Sequence, residues 1–339
     1  MKIISILKIT NNELTRIMKI KINLLLFCFA LFAVSCSNSK VFQLVLMPDT
    51  QTYTHYYPET FMSQTQWVVD NADSITFVLQ QGDITDNNFE EQWKVAVKAL
   101  TMLDGKVPYT MATGNHDNGK GGGASTRGTE FFNQYFPYEK YSKTNNFGGA
   151  FEVGKMDNVW HTFKAGGYKW LILTLEFGPR NSVLDWAGEV IKQHSDYKII
   201  INTHAYMYSD ETRMGEGDSW LPQSYGLGKE TGENAVNNGE QMWDKLVSRY
   251  PNIIFVFSGH VLFDGVGTLV SEGVNGNKVY QMLANYQQGV EGIKGDEGYF
   301  RIVTIDTRQN KVSIKTYSNF LKRYRTEPDQ QFVFENVKF

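Results

Sequence analysis

Cysteine is nearly absent: 339 residues contain two, Cys28 and Cys36. Both lie close to the N-terminus, so the body of the chain can form no disulfide and must be held by its core. Long apolar runs are scarce too. The stretch from Leu24 to Val34 is shorter than the roughly 20 residues a membrane-spanning helix needs. Positive charge is not in excess: a net charge of −3 and a pI near 6.1 argue against a nucleic-acid binder that works by neutralising phosphates. What is present is an ordinary globular composition, 42% hydrophobic and 20% charged, which argues against disorder. Aromatics reach 14%, suited to a well-filled core and to a surface that grips something planar.

The N-terminus reads as a processing segment rather than fold. Lys19 and Lys21 precede the apolar run, which closes on Phe32-Ala33-Val34-Ser35-Cys36. This resembles a bacterial lipoprotein signal over residues 1–35, with Cys36 as the lipidated first residue, a tether to residue 40, and a domain over 41–339. Met18 begins a more typical signal than Met1. Ala33 stands where such signals usually carry Leu, so an ordinary signal peptide cleaved nearby is the alternative. Lipidation implies membrane attachment in the cell envelope, periplasmic or outer-membrane. Losing residues 1–35 would leave the chain more acidic.

The body alternates strand and helix patterns. Phe42–Met47, Ile75–Gln80 and Val107–Ala112 read as strands, and Pro58–Asn71 and Asn88–Leu103 as helices, the second with Phe89, Trp93, Val97 and Leu100 on one face. Such a series marks an α/β sheet. Asn118–Gly128 is a Gly-rich loop, and residues 129–165 read as an insertion bordering the active-site edge. Tyr168–Leu175 is a strand, and a helix begins at Ser182 with Asp185 completing a capping box. Lys198–Ile201 and Ile253–Ser258 are strands, and Gly239–Tyr250 is a helix. Between them Ser209–Asn238 is a long polar loop, of the kind usually functional or mobile. Four further strands follow: Val266–Val270, Lys278–Asn285, Tyr299–Asp306 and Lys311–Tyr317.

Chemistry-bearing residues sit just past the strands. They are Asp49 in Met-Pro-Asp-Thr-Gln, Asp83 and Asp86 in Gly-Asp-Ile-Thr-Asp, and Asn115, His116 and Asp117 in Gly-Asn-His-Asp. His204 in Asn-Thr-His and His260 in Gly-His-Val-Leu complete the set. A parallel sheet delivers such ends to one edge. Carboxylates, an amide and imidazoles are the inventory of two cations roughly 3.5–4 Å apart that clamp a phosphate.

The pattern resembles the calcineurin-like metallophosphoesterase superfamily, D-x-H, G-D-x-x-D, G-N-H-[DE], a later His, then G-H-x-H, over about residues 42–264. The resemblance implies two mixed β-sheets packed face to face and flanked by helices. It also implies two divalent metal ions (Mn, Mg, Zn or Fe) and hydrolysis of a phosphomonoester or phosphodiester by a metal-bound hydroxide. Asp83 would bridge the metals. Asn115, His204 and His260 would complete one site, and Asp49 would belong to the other. His116 would donate a proton to the leaving group or stabilise charge building on the phosphate, Asp86 stands with it as a candidate catalytic residue, and Asp86 and Asp117 would orient loops or the partners of the ligands.

Two departures fall on one site: the family's imidazoles are replaced by Gln51 and Leu262. Gln51 offers only an amide oxygen, suited to a hard ion. One strong and one weak metal position are therefore expected, with Asp264 an alternative ligand. The same losses open a rival reading, a degenerate member that binds a glycan or other ligand in the envelope. His55, His161 and His194 lie in no motif and read as structural or surface residues. Tyr206, Arg127, Arg180 and Arg213 are candidates either for gripping phosphate or for ion pairs. Gly119–Gly123 lacks the Lys-Ser/Thr ending of a nucleotide-phosphate loop and reads as flexible.

Overall fold

Strand β1 (Val41–Met47) buries Leu44 and Leu46 on one face and Val45 and Met47 on the other. A strand buried on both faces lies inside a layered fold. The structure, a computed structural model, describes residues 39–287 and 297–339. The expected signal segment and Cys36 lie outside the described residues. Residues Lys40–Phe339 cluster as one unit.

Thirteen more strands follow in the chain. They are β2 (Ile75–Gln80), β3 (Tyr109–Met111), β4 (Phe147–Ala150), β5 (Val159–Ala165), β6 (Tyr168–Thr174), β7 (Lys198–Asn202) and β8 (Ile253–Ser258), then β9 (Val266–Glu272), β10 (Lys278–Ala284), β11 (Tyr299–Asp306), β12 (Lys311–Ser318), β13 (Arg323–Arg325) and β14 (Gln331–Phe334). They form two seven-stranded mixed sheets, β13-β12-β11-β1-β2-β3 with β14 on β12, and β4-β5-β6-β7-β8-β10-β9. The inner faces meet through Leu44, Leu46, Phe77 and Leu79 against Trp170, Ile172, Phe255 and Phe257. Helices α1 (Gln51–His55), α2 (Pro58–Asp70) and α3 (Glu90–Leu100) follow β1 and β2. Phe61 and Val68 of α2 and Trp93 and Ala96 of α3 cover Val45, Met47 and Val78. Short helices α4 (Glu130–Tyr135) and α5 (Tyr138–Tyr141) precede β4. Helix α6 (Asn181–Gln193) lays Val183, Leu184, Ala187 and Ile191 on the outer face of the second sheet, and α7 (Gly239–Lys245) adds Met242. Burying such branched side chains contributes about 1.5–3 kcal/mol each.

Several local expectations are corrected. Residues 129–165 are not a mere insertion: β4 and β5 form an edge of the second sheet. Helix α3 starts at Glu90, leaving Phe89 exposed before it. Helix α6 starts at Asn181 with Arg180 at its cap and no side-chain capping bond, so the Ser182–Asp185 box does not form. The box that does form is at α7, where Asn238 accepts from the Gln241 N–H and Gln241 returns the bond; it satisfies two otherwise orphaned donors.

Within these sheets β1, β2 and β3 are mutually parallel, as are β6, β7, β8 and β10. Their carboxyl ends share one edge. Asn202 Nδ2 of the second sheet donates to the Gln80 carbonyl of the first at 2.9 Å, tying the two edges together.

Candidate metal centre

At that edge Asp83 adopts φ +46°, a conformation Asp and Asn accept more readily than other non-glycine residues. Its carboxylate accepts the His116 N–H at 2.9 Å and lies 3.3 Å from His204 Nε2. The turn is crowded: a Cβ on Gly114 would come within 2.1 Å of Asp83 Oδ1, and one on Gly259 within 2.1 Å of Asp49 Oδ1. Those two glycines are therefore required where they stand. Asp117 staples the loops, accepting from the N–H groups of Ile84, Thr85 and Gly114 at 2.9–3.0 Å. Burial pushes its pKa up to about 6, helped by the Asp83 charge and opposed by those N–H donors.

The two imidazoles are each oriented by a carbonyl. His204 Nδ1 donates to the Gln81 carbonyl at 2.8 Å, and His260 Nε2 donates to the Trp220 carbonyl at 2.8 Å. Each ring then turns its other, bare nitrogen inward. His204 Nε2 lies 3.1 Å from His260 Nδ1 and 3.2 Å from Asn115 Oδ1. Donor atoms of Asp83, His204 and His260 all fall within 4.8 Å of one another. Four acceptor atoms thus face one another, an arrangement that is repulsive unless a cation or a proton lies between them. With only protons to share, burial lowers the His204 pKa but Asp83 and Asp49 outweigh it, holding the group at about 9. Burial, with the neighbouring His204 charge, drops His260 to about 3. Burial would raise Asp83, yet the His204 charge beside it leaves its carboxyl below the usual range. Asn, His, His and carboxylate in this grouping fit a divalent cation.

The other expected position differs. Asp49 accepts the His260 N–H at 3.1 Å and Asn285 Nδ2 at 2.9 Å, and burial pushes its pKa up to about 7. Gln51 is buried with an unpartnered Oε1, and Leu262 lines the cleft with no ligand atom to offer. Asp264 is not drawn in: its carboxylate accepts the Val266 N–H and it lines a different cleft, with Ser209 and Asp210.

His116 Nδ1 donates to the Asp86 carbonyl at 2.5 Å, leaving Nε2 free in the cleft. Burial lowers its pKa, but Asp83 and then Asp86 raise it overall. The Asp86 carboxylate is 2.6 Å from His55 Nδ1 and 3.8 Å from His116 Nδ1.

A model of the calcineurin-like phosphoesterase family matches residues 48–263. The chain belongs to that family. Membership supports a metal-dependent phosphoesterase in general terms. A relative from Bacillus subtilis (strain 168), the uncharacterized protein YvnB, is 28% identical over 294 residues, covering 83% of this chain and 20% of that protein. The chain spans about a fifth of that relative's length. Purple acid phosphatase PPD1 from yellow lupin (Lupinus luteus) seeds is similar in structure, with a TM-score of 0.50 and 14% identity, covering 88% of this chain and 54% of that one; this likeness bears on the fold alone.

Other candidates are committed elsewhere. Arg127 pairs with Glu176 and Glu230, Arg180 with Glu176, and Arg213 with Glu240, while Tyr206 bonds Gln281. These are structural contacts, not phosphate grips. His194 caps α6 through the Val190 carbonyl. Asn285, Trp220, Tyr225 and His55 were not foreseen. Asn285 carried a signal, an amide at a strand end; His55 ends the short helix α1, and Trp220 and Tyr225 sit in a long loop whose course no periodicity reveals.

Proposed function

We propose that the protein hydrolyses a phosphomonoester or phosphodiester, with Asp83, Asn115, His204 and His260 as the principal metal ligands and His116 as proton donor. The convergence of four acceptor atoms at Asp83, Asn115, His204 and His260 carries this reading. Divalent ions held there would polarise the phosphoryl oxygens and supply an activated water. The protein's own groups do the rest. The Gln81 and Trp220 carbonyls hold the imidazoles in their ligating tautomers. The Asp86 carbonyl aims His116, and Asp83 favours its charged form, as a general acid requires. Asp49 and Gln51 would hold a second ion more weakly.

The test is metal content together with hydrolysis of a generic aryl monoester and diester in Mn²⁺. Activity lost on chelation and regained with metal is expected. Bound metal without turnover on either ester would instead support a second reading, a ligand-binding module, which the replacement of two imidazoles by Gln51 and Leu262 favours.

Attachment at Cys36 is also proposed, on the strength of the Leu24–Val34 run and the Ser35-Cys36 ending. Among the described residues no helix is long and apolar enough to cross a membrane. Incorporation of labelled palmitate, lost in Cys36→Ser, is the expected result.

A further inference from the structure

The cleft over the acceptor group encloses about 250 Å³. Its described lining includes no Lys or Arg, and Arg127 and Arg213 are paired with Glu176, Glu230 and Glu240. A phosphomonoester carries close to two negative charges and is ordinarily gripped by an Arg fork or a Lys. A phosphodiester carries one charge and asks for less.

In place of cationic side chains the cleft offers rings. Trp220 and Tyr225, both from the 209–238 loop, line it beside Leu262. Phe263, next in the chain, is 64% exposed, and its ring centroid lies 5.2 Å from that of Trp220 and 6.0 Å from that of Tyr208. An apolar ring left so open beside a reactive cleft is costly to hydrate and presents a flat face to an incoming group. The wall is registered to the site. The Trp220 carbonyl accepts from His260 Nε2, and Tyr225 packs edge-on against Phe177, 5.2 Å away, which in turn lies 5.4 Å from His260. The Tyr225 hydroxyl bonds to none of the described residues. Burial and the Asp83 charge raise its pKa, so it stays a donor.

We propose that this cleft takes a phosphodiester bearing a flat ring, aryl or nucleobase, with the ring against Trp220 and Phe263 and a phosphoryl oxygen accepting from the Tyr225 hydroxyl. This rests on the phosphoesterase reading and specifies its substrate class.

Calorimetric titration of the Mn²⁺-loaded protein with diphenyl phosphate, diethyl phosphate and phenyl phosphate tests it. Diphenyl phosphate should bind tighter than diethyl phosphate by roughly 5- to 100-fold, the range of ring stacking on aromatic side chains, and tighter than phenyl phosphate. Phe263→Ser, at an exposed position, should remove several-fold of that preference while leaving diethyl phosphate within about twofold. Tyr225→Phe should weaken both diesters alike, by roughly tenfold for a bond to a charged oxygen. A dinucleoside monophosphate separates the ring types: tighter than diphenyl phosphate assigns a nucleobase, weaker assigns a simple aryl group. Equal affinity for the two diesters, or phenyl phosphate binding tightest, overturns this inference and leaves the phosphoesterase reading standing. Bound metal with no affinity for any ester overturns both.

Discussion

Asn115, His204 and His260 gather at Asp83 with bare nitrogens and an amide oxygen turned inward. Asp49, Gln51 and Leu262, which match the family's second position, bring a carboxylate already bonded to His260 N–H and Asn285, an unpartnered amide oxygen and no third ligand atom. Both groups stand near the ends of parallel strands, and both are buried except for the half-exposed Leu262. The difference is in available lone pairs. In the first group backbone carbonyls take up the N–H of each imidazole and so direct its lone pair inward. In the second the protein has already used part of its carboxylate, and the aliphatic Leu262 lines the cleft where the resemblance implies a ligand. Metal affinity at a strand edge is set by what the neighbours leave unsatisfied as much as by the motif.

Breaking the shared residue should have the largest effect. Asp83→Asn keeps a residue that tolerates φ +46°, yet it removes the one carboxylate assigned to both ions. Activity should fall by more than the roughly 10²–10⁴-fold expected for a lost proton donor, and bound metal measured by mass spectrometry should fall at both positions; unchanged metal content would sink the bridging role. Next is His116→Ala. Turnover should drop by roughly 10²–10⁴-fold with metal content intact, and a variant that retains full turnover removes His116 from the chemistry.

Leu262→His addresses the contrast directly. Restoring an imidazole in the cleft should raise affinity at the weaker position by about tenfold or more, seen as a second equivalent bound at lower free Mn²⁺. If the titration does not change, Leu262 is not what weakens that position.

His161 sharpens the comparison from outside the site. It is buried like His204 and His260, with Nδ1 unpartnered, but no carboxylate compensates it, and burial drops its pKa to about 3. The unfolded chain binds a proton near pH 6.5 that the fold refuses. Its stabilising contribution is therefore complete above pH 6.5 and is lost as pH falls toward 3, at about 1.4 kcal/mol per pH unit. Denaturation midpoints of His161→Leu between pH 6 and pH 4 should show a shallower decline than the parent. Parallel curves would mean that His161 titrates normally.

The α/β alternation was legible because strands buried on both faces, such as Phe42–Met47 and Ile253–Ser258, are continuous apolar runs. The resemblance supplied the second sheet. Residues 129–165 were not legible: β4 is only Phe147–Ala150, too short for period-two alternation to register. Asp49, Asp83, Asn115, His204 and His260 were identifiable because each closely follows a strand, and parallel strands share an edge whatever the loops do. Chain order and residue type were enough to determine that these groups meet. Which lone pairs stay free, which arginines are already paired, and that Trp220 and Tyr225 wall the cleft were decided only by the tertiary structure. Those outcomes depend on contacts between segments separated by tens of residues to more than a hundred, such as Trp220 with His260 and His204 with Gln81, many of them in loops whose sequences carry no periodicity of their own.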